Sequence, residues 1–165
     1  MKDYVPASVE VELKNEPEWA TTEKPLVAEF EVKIPGWISS AGRRALLPAG
    51  IFSSTEKHMF EHANRVNPIY FRFPFLKIDD VTVELPAGWK VESLPKPEDQ
   101  DAKAAEYILK VEEKPGAVHV SRTLRCDLFL LQKDLYPNLR NFFLIVRSGD
   151  DKQIVLQPGA AAANN

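Results

Sequence analysis

Apolar and polar positions alternate along most of this chain with a period of two residues. Apolar side chains occupy every second position from Leu26 to Ile34, with charged residues between the later ones, and Pro35-Gly36 follows. A strand places successive side chains on opposite faces, so 25–35 is predicted to be a half-buried strand that ends at a turn. The same alternation recurs in short segments that begin near Val9, Ile69, Val81, Trp89, Tyr107 and Val118.

Seven or eight such segments, separated by turn residues, predict a mainly β protein. We expect an antiparallel β-sandwich of the immunoglobulin-like kind, because no strand–helix–strand rhythm favours a parallel sheet. In the longest predicted strand, apolar residues from Val118 to Leu130 share one parity. Arg122 interrupts that apolar series, and we interpret it as the position of a bend or bulge.

The hydrophobic period changes near the C-terminus. Leu139, Phe142, Phe143 and Val146 fall at helical spacing and predict a helix over 137–148 that packs on the sandwich. Pro137 suits the first helical position, and Gly149 is placed where a helix would stop. A short strand over 154–156 then completes a single domain of residues 1–157, and the alanine-rich segment 158–165 is predicted to be disordered.

Composition narrows the function classes. A chain of 165 residues is the length of one domain, and its net charge of −3 comes from mixed signs rather than a basic face. This argues against nucleic-acid binding. No apolar run approaches the roughly 20 residues needed to span a bilayer, and we expect a soluble chain. The first residues lack the apolar run of a signal peptide, so any export signal is expected to lie outside this sequence.

Residues 58–62, HMFEH, have the H-x-x-E-H arrangement of one class of zinc peptidases. Ser53 and Glu56 stand at the spacing of a capping box, which predicts a short helix near 54–63. On such a helix His58 and His62 lie one turn apart, as zinc ligation requires. Glu61 would then be available to polarise a metal-bound water.

Two features argue against this zinc site. Peptidases with that signature take a third ligand, a glutamate, from a second helix, and the predicted helix 137–148 contains no acidic residue. On the shorter helix the apolar residues Met59, Phe60 and Ala63 form the buried face, which leaves both histidines toward solvent. We therefore predict no metal site, and no glycine-rich or calcium-binding loop suggests another cofactor. A zinc hydrolase is kept as the weakest alternative.

The single cysteine and the exposed aromatic residues are the other candidates. Cys126 and His119 lie seven residues apart on one strand and so point to opposite faces, which excludes a nucleophile–base hydrogen bond. Cys126 shares the parity of the apolar residues and is predicted to be a buried, inert thiol. An aromatic platform for sugars would have to be built from Trp19, Trp37, Trp89, Tyr4 and Tyr70.

The order of several landmarks resembles the C-terminal β-domain, a domain of unknown function, of large bacterial proteins built around a transglutaminase-like core. The landmarks are Gly42-Arg43, Leu47-Pro48, Phe60, Arg65, Asn67-Pro68-Ile69, VELPAGWKVESLP from Val83, the strand at Tyr107, VSRTL from Val120, YPNLRNFF from Tyr136, and Ile154-Val155-Leu156. Their order extends over nearly the whole chain. The tyrosine-proline helix followed by the last strand is the most specific part.

The resemblance implies an accessory role. In that family the catalytic Cys, His and Asp belong to the core domain, which no segment here matches, so no catalytic residue is carried over. It implies a non-catalytic module that packs beside a transglutaminase-like domain or recognises a partner, in a periplasmic or exported protein. The alternative is an autonomous glycan- or peptide-binding module that uses exposed aromatic residues or a free strand edge.

Overall fold

The computed structural model describes residues 10–34, 38–53 and 59–159. Its backbone divides into two compact units, residues 1–39 and residues 40–165. The predicted single domain over 1–157 stays a prediction. Of the predicted tail, Pro158 belongs to the last strand, and residues 160–165 lie outside the described part of the chain.

The first unit is built on a two-stranded hairpin. Strands β1 (Glu10–Leu13) and β2 (Phe30–Lys33) pair antiparallel, with Val11 opposite Val32 and Leu13 opposite Phe30. These apolar side chains share one face, and the large ones among them are more than a third exposed. The prediction of a half-buried strand over 25–35 is therefore wrong in extent and in burial. Alternation of apolar and polar residues predicts an amphipathic strand, but it does not predict that another element packs on the apolar face.

The second unit contains two four-stranded antiparallel sheets. The first has the order β6 (Phe75–Glu84), β10 (Ala117–Cys126), β9 (Ala105–Lys114) and β8 (Glu98–Asp101). The second has the order β3 (Ser39–Ala41), β4 (Arg44–Pro48), β12 (Gln153–Pro158) and β7 (Trp89–Ser93). A two-stranded ribbon, β5 (Ile69–Tyr70) with β11 (Leu130–Leu131), completes the described strands.

Helix α1 (Tyr136–Asp150) follows a 3-10 turn over Lys133–Leu135. The core of the second unit takes buried side chains from both large sheets and from one face of this helix. These include Leu47, Ile154, Leu156, Tyr107, Leu109, Val118, Val120, Leu139, Phe142, Phe143 and Val146. The architecture is mostly β, with antiparallel sheets and one C-terminal helix, as in a β-sandwich. The predicted fold class, a mainly β antiparallel sandwich with one C-terminal helix, is confirmed, and its immunoglobulin-like kind stays a prediction.

Three local predictions need correction. Helix α1 extends through Gly149 to Asp150 rather than stopping at 148. Strand β10 pairs with β6 and β9 without a register shift, so Arg122 marks no bulge, and the irregularity in the described sheets lies at Val155/Leu156, where β12 pairs with β7. Of the predicted short helix, residues 54–58 lie outside the described residues, and 59–63 form no helix.

Candidate functional site

A buried charged cluster lies where β10 meets the end of α1. Arg122 projects from the inward face of β10 and is 2% exposed. Its Nε and Nη2 donate to Oδ1 and Oδ2 of Asp150 at 2.7 and 2.8 Å, a two-pronged pair. Nη1 lies 3.4 Å from Asp79 Oδ2. Burial alone lowers the pKa of Arg122, but the hydrogen bonds and charge of Asp150 outweigh it, so the guanidinium stays charged.

Tyr107 completes the cluster from β9. Its hydroxyl donates to Asp150 Oδ1 at 2.9 Å, and the Arg122 guanidinium lies 5.6 Å from the centre of its ring. Burial and the Asp150 charge raise the pKa of Tyr107 well above its ordinary value. Arg122 and Tyr107 therefore both keep their protons near neutral pH. The cluster can hold the helix against the sheet, but neither of these groups can act as a base.

The backbone at Asp150 is equally constrained. A Cβ added at Gly149 would lie 2.8 Å from Tyr107 Cε1, closer than carbon atoms pack. The Asp150 carbonyl accepts a hydrogen bond from the Gly50 backbone N–H at 2.9 Å, just after β4. Gly149 is thus a glycine because Tyr107 occupies the space of its side chain. Its role is close packing and not helix termination.

A small cleft of about 80 Å³ opens beside this cluster. Arg122 and Asp150 line it together with the apolar side chains of Leu124, Phe143 and Val146. Ser53 also lines the cleft, and its buried hydroxyl has no hydrogen-bond partner among the described residues. A dry engineered cavity of about 150 Å³ binds benzene, so this cleft has room for a few waters or a group smaller than a benzene ring.

The H-x-x-E-H residues are only partly described. His58 lies outside the described residues, while Glu61 and His62 are exposed. The His62 carbonyl accepts a hydrogen bond from the Tyr136 hydroxyl. Within 10–34, 38–53 and 59–159, no group of three His, Cys, Asp or Glu side chains is arranged to hold a metal.

Cys126 and His119 lie on opposite faces of β10. Cys126 is fully buried, as its parity predicts, and burial raises the pKa of its thiol. His119 lies on the outer face, with its Nδ1 3.4 Å from the Thr82 hydroxyl oxygen and 3.9 Å from Asp80 Oδ1. The structure therefore does not bring His119 to the thiol.

Of the aromatic residues considered for a sugar platform, three lie within the described residues. Trp19 is exposed in the first unit, Trp89 is half-buried in β7, and Tyr4 and Trp37 lie outside the described residues. Tyr70 is 74% exposed on the β5–β11 ribbon, opposite Leu130.

Four exposed large side chains lie at or beside that ribbon, and we call them the ribbon patch: Tyr70, Phe73, Phe129 and Leu130. Each of these side chains is more than half exposed. Tyr70 and Leu130 are directly opposed, and the Phe71 N–H donates to the Phe129 carbonyl at 2.8 Å, which continues the backbone pairing of the ribbon. Large exposed apolar groups of this kind are typical of surfaces that contact another protein.

The sequence analysis did not predict the Arg122 cluster, although the parity of Arg122 along its strand indicates that it is buried. Arg122 has the parity of the buried residues Val120 and Leu124, so an uninterrupted strand places it in the core. A buried guanidinium requires an acidic partner. Asp150 was missed because Gly149 was interpreted as the end of the helix.

Comparison with known proteins places the fold in context. The profile of a family described as "Domain of Unknown Function with solved-structure structure (DUF3858)" matches residues 43–156. A crystal structure from Parabacteroides distasonis, titled as that of a "putative protease", aligns with a TM-score of 0.51 and 12% sequence identity. The alignment covers 58% of this chain and 19% of that one, so the likeness is one of fold. No curated protein matches the sequence.

Proposed function

Because the chain belongs to the DUF3858 family of domains of unknown function, we propose that it is a non-catalytic accessory β-sandwich module. Its parent would be a longer cell-envelope protein with a transglutaminase-like domain, which makes its location periplasmic or exported. The module would pack against that neighbouring domain or recognise a partner. The order of sequence landmarks supports this parent, and no nucleic-acid role is proposed because the charges are mixed.

The ribbon patch is the observation that carries the proposal. Its four large side chains lie at or beside the short strands β5 and β11, within the family-matched residues, and each is more than half exposed. Complete burial of one such side chain against a partner would stabilise the complex by roughly 1.5–3 kcal/mol relative to leaving it in water. A neighbouring domain packed on the patch would recover part of that free energy. In the similar crystal structure the aligned fold is likewise a minor part of a much longer chain.

The arrangement of reactive groups supports a non-catalytic role. The buried Cys126 thiol is separated from His119 by the thickness of the sheet, and Arg122 is paired with Asp150. The described part of the chain carries no helix long and apolar enough to cross a membrane. The alternative is an autonomous glycan- or peptide-binding module. For the zinc hydrolase, no group of three His, Cys, Asp or Glu side chains within the described residues is arranged to hold a metal.

The coding sequence upstream of residue 1 provides the first test. We expect it to encode a transglutaminase-like domain, and an upstream region that encodes none would overturn the proposed parent.

The second test perturbs the ribbon patch in that longer protein. Tyr70→Ser with Leu130→Ser should leave the unfolding free energy of the 165-residue chain within about 0.5 kcal/mol, since both side chains are exposed. In the longer protein the same pair should speed proteolysis at the domain junction. Leu144→Ser, an exposed apolar position on α1, is the matched control. Equal proteolysis of both variants would show that the patch is not the docking surface.

A further inference from the structure

Positive charge is concentrated in the segments of the second unit that carry the ribbon patch. Residues 61–73 and 129–140, which include β5, β11 and the start of α1, contain four basic and two acidic residues. The whole chain has 21 basic and 24 acidic residues. These two segments therefore have a net charge opposite in sign to that of the whole chain.

The exposed basic residues lie at both ends of the ribbon. Arg65 precedes β5, and its guanidinium carbon lies 5.8 Å from the centre of the Tyr136 ring, at the first residue of α1. Lys133 follows β11 in the 3-10 turn that leads into the same helix. Arg72 follows β5 at the opposite end of the ribbon. All three cations are exposed, so they flank the apolar side chains of the ribbon patch.

These three cations form no ion pair with a carboxylate among the described residues. Elsewhere in the same unit, Arg44, Arg125 and Lys152 do pair with carboxylates. The two acidic residues of the basic segments, Glu61 and Asp134, are exposed and form no ion pair with any described cation. The positive charge beside the ribbon is therefore not neutralised within the described part of the chain.

A fourth cation in these segments is half-buried. Arg140 lies one turn after Tyr136 on α1, and its buried Nε has no hydrogen-bond partner within the described ranges. A buried donor without an acceptor is unfavourable, and the cost is larger for a charged group. Negative charge brought to this end of α1 by a partner would offset part of that cost.

The ribbon patch and its cations together have the arrangement of an interface with an apolar centre and a charged rim. The centre of such an interface excludes water, whereas the rim stays hydrated and its charges set orientation and specificity. A partner surface with basic residues opposite Arg72 and Lys133 would be repelled, and one with carboxylates there is complementary. A second copy docked patch to patch would bring the cations of both copies together, which is unfavourable.

We propose that the surface which covers the ribbon patch is acidic: an apolar area with Asp or Glu side chains placed opposite Arg72 and Lys133. This inference rests on the proposed function, because it describes the surface that the neighbouring domain presents. It adds the charge of that surface, which the exposed apolar side chains alone do not specify.

The test measures proteolysis at the domain junction of the longer protein. Arg72→Glu with Lys133→Glu should speed cleavage about five- to tenfold at low salt, because two attractions at the rim become repulsions. The difference should nearly vanish in about 1 M sodium chloride, where the Debye length is about 3 Å. Lys90→Glu with Lys110→Glu, at exposed positions of β7 and β9, is the control for net charge and should change cleavage less than about twofold. Circular dichroism of the 165-residue chain confirms that both variants fold.

Zero-length cross-linking identifies the acidic partner directly. A water-soluble carbodiimide joins a lysine amine to a carboxylate only when the two groups are in contact. In the longer protein we expect Lys133 to be joined to an Asp or Glu of the neighbouring domain, as detected by mass spectrometry after digestion. Lys133→Arg keeps the charge but cannot be joined, so it should lose this cross-link while cleavage at the junction stays slow.

The outcomes separate this inference from the proposed function. If Tyr70→Ser with Leu130→Ser speeds cleavage but Arg72→Glu with Lys133→Glu does not, the docking surface stands and its acidic partner is refuted. If neither pair has an effect, both proposals fail. Equal effects of the ribbon and control charge reversals would indicate net charge alone and refute the acidic partner. Binding of the 165-residue chain to vesicles of equal parts phosphatidylcholine and phosphatidylglycerol, lost in the charge-reversed variant, would identify an anionic lipid surface as the occupant and overturn the proposal.

Discussion

Replacing Arg122 by methionine tests whether the buried pair with Asp150 holds α1 on the sheet. The change removes two hydrogen bonds to Asp150, whose side chain is 8% exposed, and leaves its carboxylate with the Tyr107 hydroxyl. Breaking a buried pair in this way typically costs about 3–5 kcal/mol. For a unit of this size the melting temperature should fall by about 10–20 °C. Urea unfolding followed by circular dichroism measures the free energy directly.

Two further variants complete this experiment. Arg125→Met is the matched control: it lies on the same strand, 35% exposed and paired with Glu106 and Asp127, and should cost less than about 1 kcal/mol. The triple variant Arg122→Met, Asp150→Leu and Tyr107→Phe removes the charged and hydroxyl groups of these three side chains and leaves Asp79, whose side chain is 21% exposed to water. It should recover most of the stability lost in the single variant, because the Asp150 carboxylate is no longer buried without its partner.

The reasoning would be refuted if Arg122→Met and Arg125→Met had equal costs. It would also fail if the triple variant were less stable than Arg122→Met alone. In that case the cluster would contribute through shape rather than through pairing of its charges.

The other predictions concern the packing of the same core. Phe142→Ala should cost about 3–5 kcal/mol in urea unfolding, as for a buried phenylalanine in a core, and a loss below about 1 kcal/mol would show that this face of α1 is not packed. Gly149→Ala should destabilise the chain because the new methyl group would collide with the Tyr107 ring. Alanine ordinarily stabilises a helix by roughly 0.5–1 kcal/mol relative to glycine, so a stabilised variant would contradict this prediction. Cys126 should resist iodoacetamide at neutral pH in the folded chain, because burial raises the pKa of its thiol, and it should react once the chain is unfolded in urea. Labelling of the folded protein faster than that of a free cysteine would show an activated thiol.

The strands of the second unit and its helix were largely predictable because each buries one face. Alternation placed β9, β10 and β12, and the spacing of Leu139, Phe142 and Val146 placed α1. The same rule misled in the first unit. The alternating residues of 25–34 have the sequence of a half-buried strand, yet only Phe30–Lys33 pair, and their apolar face is exposed. A sequence pattern identifies an amphipathic face, but whether that face is buried depends on which other elements pack against it.

The buried cluster was less predictable because its meaning depends on residues far apart in sequence. Arg122 by itself looks like an interruption, and Gly149 by itself looks like a stop. In the folded chain Gly149 leaves room for the Tyr107 ring, and the Arg122 guanidinium pairs with the Asp150 carboxylate.

The position of β12 has a consequence for the order in which this chain can fold during synthesis. The last strand lies inside its sheet, between β4 and β7, and its Gln153 pairs with Pro48. Closing a loop of that length costs about 4 kcal/mol of chain entropy, and the strand must first leave the ribosome. Until then β4 and β7 lack their common neighbour, while the local pair β9–β10 can already form. The first sheet can therefore assemble once β10 has left the ribosome, whereas the second sheet must wait for β12.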